Sequence, residues 1–363
     1  MKFDSTKINY ISNIENTTHK KEKSQIKKIY NYGLALLKCY LAFLVIISHN
    51  FSPRTTKNKV IIYIYANRRF AVPCFFIISF ILMSKNLLSL NLKIIIKRII
   101  RLLIPYIIWP IIILIINHIY NKIYNTKLPD TFEDLKIQLI WGSRYIHQFW
   151  FLWALISFTL FFVIIILIFK DNSMFMLQII GLLFYFAQYS GYHYNKVFLK
   201  YPAYNKRLAV LFFETVPYSV TGFSLGFYKI VSYLQNFKTK TFTLSYLVYI
   251  LVTRYNIFSN LKGVGYQGIY LNIKSVCIIF VFSLFPSANI KNKYIIKLLN
   301  LLTNHTGGVY YLHVSIHSYC INFFDSIKYR TFFGMIINYI ICYFICFLGI
   351  IIFGKTPIKY LFC

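Results

Sequence analysis

The chain has 363 residues, of which 58% are hydrophobic and 20% aromatic, while only 13% are charged. This composition leaves too little polar surface for a globular protein that dissolves in water. The formal net charge is +31, but the basic residues are scattered between apolar runs and form no clustered patch, so we expect no nucleic-acid partner.

Long apolar runs without Lys, Arg, Asp or Glu recur along the chain, for example at residues 102–121 and 145–169. About 20 apolar residues cross a bilayer as an α-helix. The sequence therefore predicts an all-α fold, a polytopic membrane helical bundle with about ten transmembrane helices. The predicted spans lie at residues 31–52, 70–88, 102–121, 148–169, 173–191, 208–228, 241–258, 264–286, 308–325 and 331–353.

Charged segments set the predicted domain boundaries. Residues 1–30 form a basic tail, residues 31–353 the membrane domain and residues 354–363 a short C-terminal tail. The distribution of Lys and Arg slightly favours a cytoplasmic location for both termini. No predicted connection between spans is long enough to hold a soluble catalytic domain, so any chemistry takes place within or at the edge of the bundle.

The cysteines and histidines give no sign of a metal site. The seven cysteines include no C-x-x-C pair, and no residues have the spacing of an H-E-x-x-H or D-x-D motif. We therefore expect neither a disulfide framework, nor a metal, nor any bound cofactor.

The first span contains two ionisable residues, Lys38 and His49, which are eleven positions apart. At about 100° per residue they project from the same helix face, and at about 1.5 Å per residue they are separated by about 16 Å along the axis. Ionisable side chains inside a membrane are rare and costly, so they point to a function. The alternative is a histidine that only packs and forms a hydrogen bond.

Two arginines, Arg98 and Arg101, precede the third span and are neighbours on one helix surface because they are three residues apart. The planar guanidinium group forms paired hydrogen bonds that suit phosphate. The alternative is that these cations only anchor the loop on the cytoplasmic side.

Several segments, in a fixed order, resemble the integral-membrane acyltransferase-3 family, which includes O-acetyltransferases of bacterial surface polysaccharides. The first helix has a basic residue, ten residues and then a histidine, and the third has R-x-x-R before a proline. In chain order the matching residues are Lys38 and His49, Val72 to Phe80 with Ser79, Arg98 and Arg101 with Pro105, Trp150 to Leu152, and Gly308 to His313. Here Lys38 stands where the family usually has Arg, and the Gly that usually follows Ser79 is absent.

The resemblance implies a membrane O-acyltransferase of the bacterial inner membrane that moves an acyl group, expected to be acetyl, from acyl-CoA to a sugar hydroxyl of a surface polysaccharide such as O-antigen. His49 is then the expected general base, because an unperturbed imidazole with a pKa of about 6.5 can accept a proton near neutrality. Lys38, Arg98 and Arg101 are expected to hold the phosphates of the acyl donor.

Four further residues are candidates for accessory roles. Glu214 is an acidic residue well inside a predicted span and could orient His49, although it could equally neutralise a nearby cation. The other three, His313, Ser79 and Trp150, lie in the segments that carry the resemblance. An alternative function is polysaccharide transport or polymerisation, since flippases and polymerases are also basic, tyrosine-rich membrane proteins.

Overall fold

The computed structural model describes residues 33–49, 64, 68–125, 127–142, 147–190, 203–234, 237–259, 269–284, 292–323 and 332–362. Every regular element within these ranges is helical, which confirms the prediction of an all-α fold. The α-helices are α1 (Gly33–His49), α2 (Ala71–Leu88), α3 (Leu92–Tyr124), α4 (Phe132–Trp141), α5 (Trp150–Phe169), α6 (Ser173–Ser190), α7 (Ala203–Phe227), α8 (Ile230–Leu234), α9 (Lys238–Ser259), α10 (Ile269–Leu284), α11 (Lys293–Asn304), α12 (Thr306–Phe323) and α13 (Phe332–Phe353). Short 3₁₀ helices occupy Arg68–Phe70, His147–Phe149, Lys170–Asn172 and Pro357–Leu361.

Four stretches of the described residues are long and apolar enough to cross a membrane, namely Arg68–Leu88, Leu92–Tyr124, Trp150–Phe186 and Gly334–Phe353. Aliphatic side chains spaced three or four residues apart on α3 are exposed on one face, as expected where a helix meets lipid. They are Ile96, Ile100, Leu103, Ile107 and Ile111. The protein is therefore a membrane protein, while the total of about ten spans stays a prediction.

The third predicted span is part of a longer helix. Helix α3 begins at Leu92, and the side chain of Asn91 caps it by accepting a hydrogen bond of 3.3 Å from the Ile94 amide. Lys and Arg mark the edge of a membrane but are good helix formers, so the helix continues through them. Arg98 and Arg101 consequently lie on one regular helix, one turn apart.

Two further helices, α4 and α11, lie outside all the predicted spans. Helix α4 starts with a capping box between Thr131 and Asp134. At the start of α11, the side chain of Asn292 accepts hydrogen bonds from the amides of Tyr294 and Ile295. Both start signals are visible in the sequence. The two helices were not predicted, because the prediction of membrane spans rests only on the length and polarity of apolar runs.

Helices α2 and α7 pack backbone to backbone. Gly222 and Gly226 lie one turn apart on α7, and a Cβ atom at Gly222 would collide with the backbone of Ile77 on α2. A Cβ atom at Gly226 would collide with Ser84 and with the backbone of Ile81. Small residues four positions apart allow such close approach of helices in membranes. This contact fixes the position of α2 in the bundle.

Residues 357–362, which we call the return segment, fold back into the bundle. The indole Nε1 of Trp109 donates a hydrogen bond of 3.1 Å to the carbonyl of Leu361, and Leu361 itself is buried. The Nδ1 of His305 donates one of 3.2 Å to the carbonyl of Phe362. This part of the predicted C-terminal tail is therefore packed against α3 and the α11–α12 junction. The predicted tail over residues 1–30 lies outside the described residues.

Candidate active site

A cavity of about 340 Å³ is lined by four of the predicted site residues, together with others. Lys38 comes from α1, Ser79 from α2, and Arg98 and Arg101 come from α3. The volume lies within the range of small-molecule sites in proteins. Three helices, α1, α2 and α3, thus bring these four predicted residues to one place.

The guanidinium group of Arg98 is held by Ser79. Its Nη2 donates a hydrogen bond of 2.6 Å to Ser79 Oγ, and its Nη1 makes a weaker contact of 3.4 Å with the Ser79 carbonyl. The ring of Phe80 lies below the group, with its centroid 5.5 Å from Arg98 Cζ. The buried Nε has no hydrogen-bond partner among the residues that the structure describes. The Arg98 side chain is therefore oriented by protein contacts, while one of its buried donors has no partner among the described residues.

The charge of this cavity is uncompensated within the described part of the chain. Three cations line it, and no Asp or Glu is found among its described lining residues. Two ion pairs between described residues lie elsewhere, one between His118 and Asp130 and one between Lys136 and Glu133. Cations brought together without carboxylates repel one another unless an anion joins them. The cavity is therefore suited to bind an anion, and arginine suits phosphate in particular.

The rest of the cavity is mainly apolar and aromatic. It is lined by Phe75, Ile78, Leu82, Leu102, Phe151, Leu155, Thr306, Gly307, Tyr310, Tyr311 and Tyr360. Two reciprocal hydrogen bonds fix its α12 wall. The Tyr310 hydroxyl donates to the Gln148 carbonyl at 3.2 Å, and Gln148 Nε2 donates to the Tyr311 carbonyl at 3.1 Å.

His49 and His313 form a pair outside this cavity. The centroids of their rings are 5.2 Å apart, with His49 exposed at the end of α1 and His313 fully buried on α12. The Nδ1 of His313 lies 2.8 Å from the carbonyl of Tyr310, which can only accept, so Nδ1 carries the proton. In the neutral ring, Nε2 is then the nitrogen that can accept a proton.

Helix α12 links the cavity to the histidine pair. Gly307 and Tyr310 line the cavity, and His313 follows on the same helix. At about 1.5 Å per residue, His313 is about 9 Å from Gly307 along the axis. On α1 the order is the same, because Lys38 lines the cavity and His49 stands at the far end of the helix. The cavity and the two histidines thus lie at opposite ends of one region of the bundle.

The structure does not bring the two remaining predicted residues into this cavity. Glu214 is buried on α7, the helix that packs along α2. Trp150 is buried at the start of α5, with its ring centroid 6.2 Å from that of Phe76. Its neighbour Phe151 lines the cavity instead.

Two groups near the cavity were not predicted from the sequence. Tyr360, on the return segment, lines the cavity, and no periodic pattern in the sequence points to it. His305 precedes the lining residue Thr306, and burial lowers the pKa of its imidazole because desolvation disfavours the charged ring. The hydrogen bond to the Phe362 carbonyl opposes that shift without cancelling it.

Residues 31–355 of the chain match a protein-family model described as "Acyltransferase domain". None of the curated proteins matches the chain, and no solved structure does.

Proposed function

Because the chain belongs to the acyltransferase-3 family of membrane proteins, we propose that it transfers an acyl group from acyl-CoA to a sugar hydroxyl of a cell-surface polysaccharide or of its lipid-linked precursor. Acetyl-CoA is the proposed donor. Membership in this family favours transfer chemistry over the alternative of polysaccharide transport or polymerisation.

One observation carries the proposal: three cations meet in a cavity with no acidic residue in its described lining, and α12 leads from that cavity to two adjacent histidines. Acyl-CoA is an elongated molecule with phosphates near one end and a reactive thioester at the other. Phosphates held by Arg98 and Arg101 would leave the acyl end free to extend toward His313 and His49. Lys38 adds a third positive charge at the phosphate end.

His49 is the proposed general base, since it is exposed and its ring lies next to that of His313. It takes the proton of the sugar hydroxyl as the oxygen attacks the thioester carbonyl. The new C–O bond forms, the C–S bond breaks, and the CoA thiolate leaves and recovers the proton from the imidazolium. His313, whose ring lies beside His49, is the proposed partner that orients the base or the acceptor.

The proposed location is the bacterial inner membrane, with the cavity open to the cytoplasm, where acyl-CoA is made. Lys93 and Lys97 are exposed on the same end of α3 as Arg98 and Arg101, and basic residues favour the cytoplasmic side. On this arrangement His49 lies deeper in the membrane or toward its other side, where a lipid-linked sugar could approach.

The test is mass spectrometry of surface glycan from cells that carry the wild-type gene, a deletion or His49→Ala. We expect wild-type glycan to carry a mass increment of one acyl ester, and both other strains to lack it. Lys97→Ala is the matched control, because this exposed residue is a cation outside the described lining of the cavity. Identical glycans from wild-type and deletion strains would contradict the proposed function.

A further inference from the structure

The return segment is anchored by contacts that do not depend on any ligand. The carbonyls of Leu361 and Phe362 accept hydrogen bonds from Trp109 and His305, at 3.1 and 3.2 Å. Two carbonyls of a six-residue segment are therefore bound by side chains from separate parts of the bundle.

Glycines make room for the last ring of this segment. A Cβ atom at Gly349 on α13 would collide with the Phe362 ring, and one at Gly308 on α12 would lie 2.8 Å from the Phe362 carbonyl carbon. The Phe362 ring also contacts Trp109 edge to face, with centroids 6.0 Å apart, and stacks on Phe353. Phe362 is thus packed between helices, and this packing holds the residues before it in place.

This anchoring places Tyr360 in the wall of the cavity that contains Arg98 and Arg101. Tyr360 therefore lines the same cavity as the groups proposed to hold phosphate. In acyl-CoA the adenine base is joined through ribose to the phosphates, whereas the thioester is at the opposite end. An aromatic ring beside the phosphate site is therefore within reach of the base and distant from the reacting acyl group.

We propose that the return segment is a wall of the donor site and that Tyr360 strengthens donor binding by packing against the adenine of acyl-CoA. This inference rests on the proposed function, since it assumes that the cavity takes a CoA donor. Stacking of a base on an aromatic side chain contributes binding energy without selecting a particular hydrogen-bond pattern. Tyr360 then improves binding of the nucleotide and takes no part in the chemistry.

The experiment measures displacement of radiolabelled acetyl-CoA from the purified full chain by CoA and by 4′-phosphopantetheine, which lacks the nucleotide. For Tyr360→Ala we expect about tenfold weaker binding of CoA, within the range for loss of one stacked base, and unchanged binding of 4′-phosphopantetheine. Tyr360→Phe keeps the ring and should bind CoA like the wild type. Phe362→Ala, which loosens the anchor, should weaken CoA binding in the same direction.

Ile358→Ala is the matched control, because Ile358 is exposed on the same segment and is not among the described residues that line the cavity. Equal CoA affinity in wild type and Tyr360→Ala would overturn the inference and leave the proposed function intact. Equal weakening of CoA and 4′-phosphopantetheine would also overturn it, since Tyr360 would then only shape the cavity. A wild-type protein that binds neither compound would instead contradict the proposed function itself.

Discussion

The rings of His49 and His313 lie side by side, with centroids 5.2 Å apart, although one residue ends the first described helix and the other belongs to α12. The two differ in environment, because His49 is exposed and His313 is buried with its Nδ1 bonded to a backbone carbonyl. Of the two rings, only that of His49 belongs to an exposed residue. The pair therefore suggests a division between a reacting base and a residue that orients it.

This division of roles can be tested by substituting each histidine separately. His313→Asn keeps a donor near the position of Nδ1 and can still bond to the Tyr310 carbonyl, but it removes Nε2. We expect His49→Ala to lower the rate of acyl transfer about 10²–10⁴-fold, the usual contribution of a positioned base, without weakening the binding of acetyl-CoA. His313→Asn should lower the rate by less.

The measurement is single-turnover transfer of radiolabelled acetyl groups, together with equilibrium binding of acetyl-CoA to the same preparations. His118→Ala is a suitable control, because His118 is an exposed histidine near the far end of α3 that contacts Asp130. A His49→Ala protein that transfers acetyl groups at the wild-type rate would exclude His49 as the base.

A second prediction concerns the contact between Arg98 and Ser79. Lysine in place of Arg98 keeps the charge but loses the planar fork, so we expect Arg98→Lys to raise the KM for acyl-CoA about tenfold while kcat changes little. Ser79→Ala removes the hydrogen bond of 2.6 Å that orients the guanidinium group and should raise KM by a few-fold.

Lys97→Ala again serves as the control, since Lys97 adjoins Arg98 in sequence but is exposed. Initial rates at varied acetyl-CoA concentration separate KM from kcat. If Arg98→Lys lowered kcat and left KM unchanged, Arg98 would act on the reaction and not on donor binding, and the phosphate assignment would be wrong.

Some parts of the site could be predicted from the sequence, and others could not. Helix periodicity predicts that Lys38 and His49 share a face at two levels of α1, and the structure has one beside the cavity and the other at the end of the helix. The convergence of Arg98 with Lys38 could not be derived from periodicity. It depends on how helices pack, and only the resemblance to a family indicated it.

The return segment could not have been predicted for a different reason. Six residues give no periodic signal, and their position depends on the space left by Gly308 and Gly349 and on a hydrogen bond from Trp109. These partners are far away in sequence. For Glu214 no sequence rule states which helix it faces, so its proposed pairing with His49 stays a prediction.

A third prediction concerns pH and the anchor of the return segment. Burial lowers the pKa of His305, so the folded protein favours the neutral ring. As the pH falls below about 6.5, the unfolded chain binds a proton that the folded chain resists, and stability is lost progressively until the pH passes below the folded pKa. Above about 6.5 this contribution no longer changes with pH.

Thermal unfolding of the purified protein between pH 5 and pH 8 tests the direction of this stability change, because that range spans the ordinary histidine pKa of about 6.5. His305→Asn keeps a donor for the Phe362 carbonyl but does not titrate. We expect the melting temperature of the wild type to fall more steeply with acidification than that of the variant. Parallel curves for the two proteins would show that His305 has no part in the pH dependence.

The last prediction concerns the close packing of α2 and α7. Gly222→Ala would place a methyl group against the backbone of Ile77, which cannot rotate out of the way, so the helices must move apart. Overpacking of this kind costs about 1–3 kcal/mol.

Gly181→Ala on α6 is the matched control, because its new Cβ would meet the side chain of Val220 at 2.9 Å, and a side chain can shift more easily than a backbone. Fluorescence-detected size-exclusion chromatography after heating should therefore show a lower melting temperature for Gly222→Ala than for Gly181→Ala. Since α2 carries Ser79, separation of the two helices should also weaken the hold on Arg98, and acyl-CoA binding should fall in Gly222→Ala at temperatures where the protein is still folded. Equal melting temperatures for the two variants would mean that α2 and α7 are not in backbone contact.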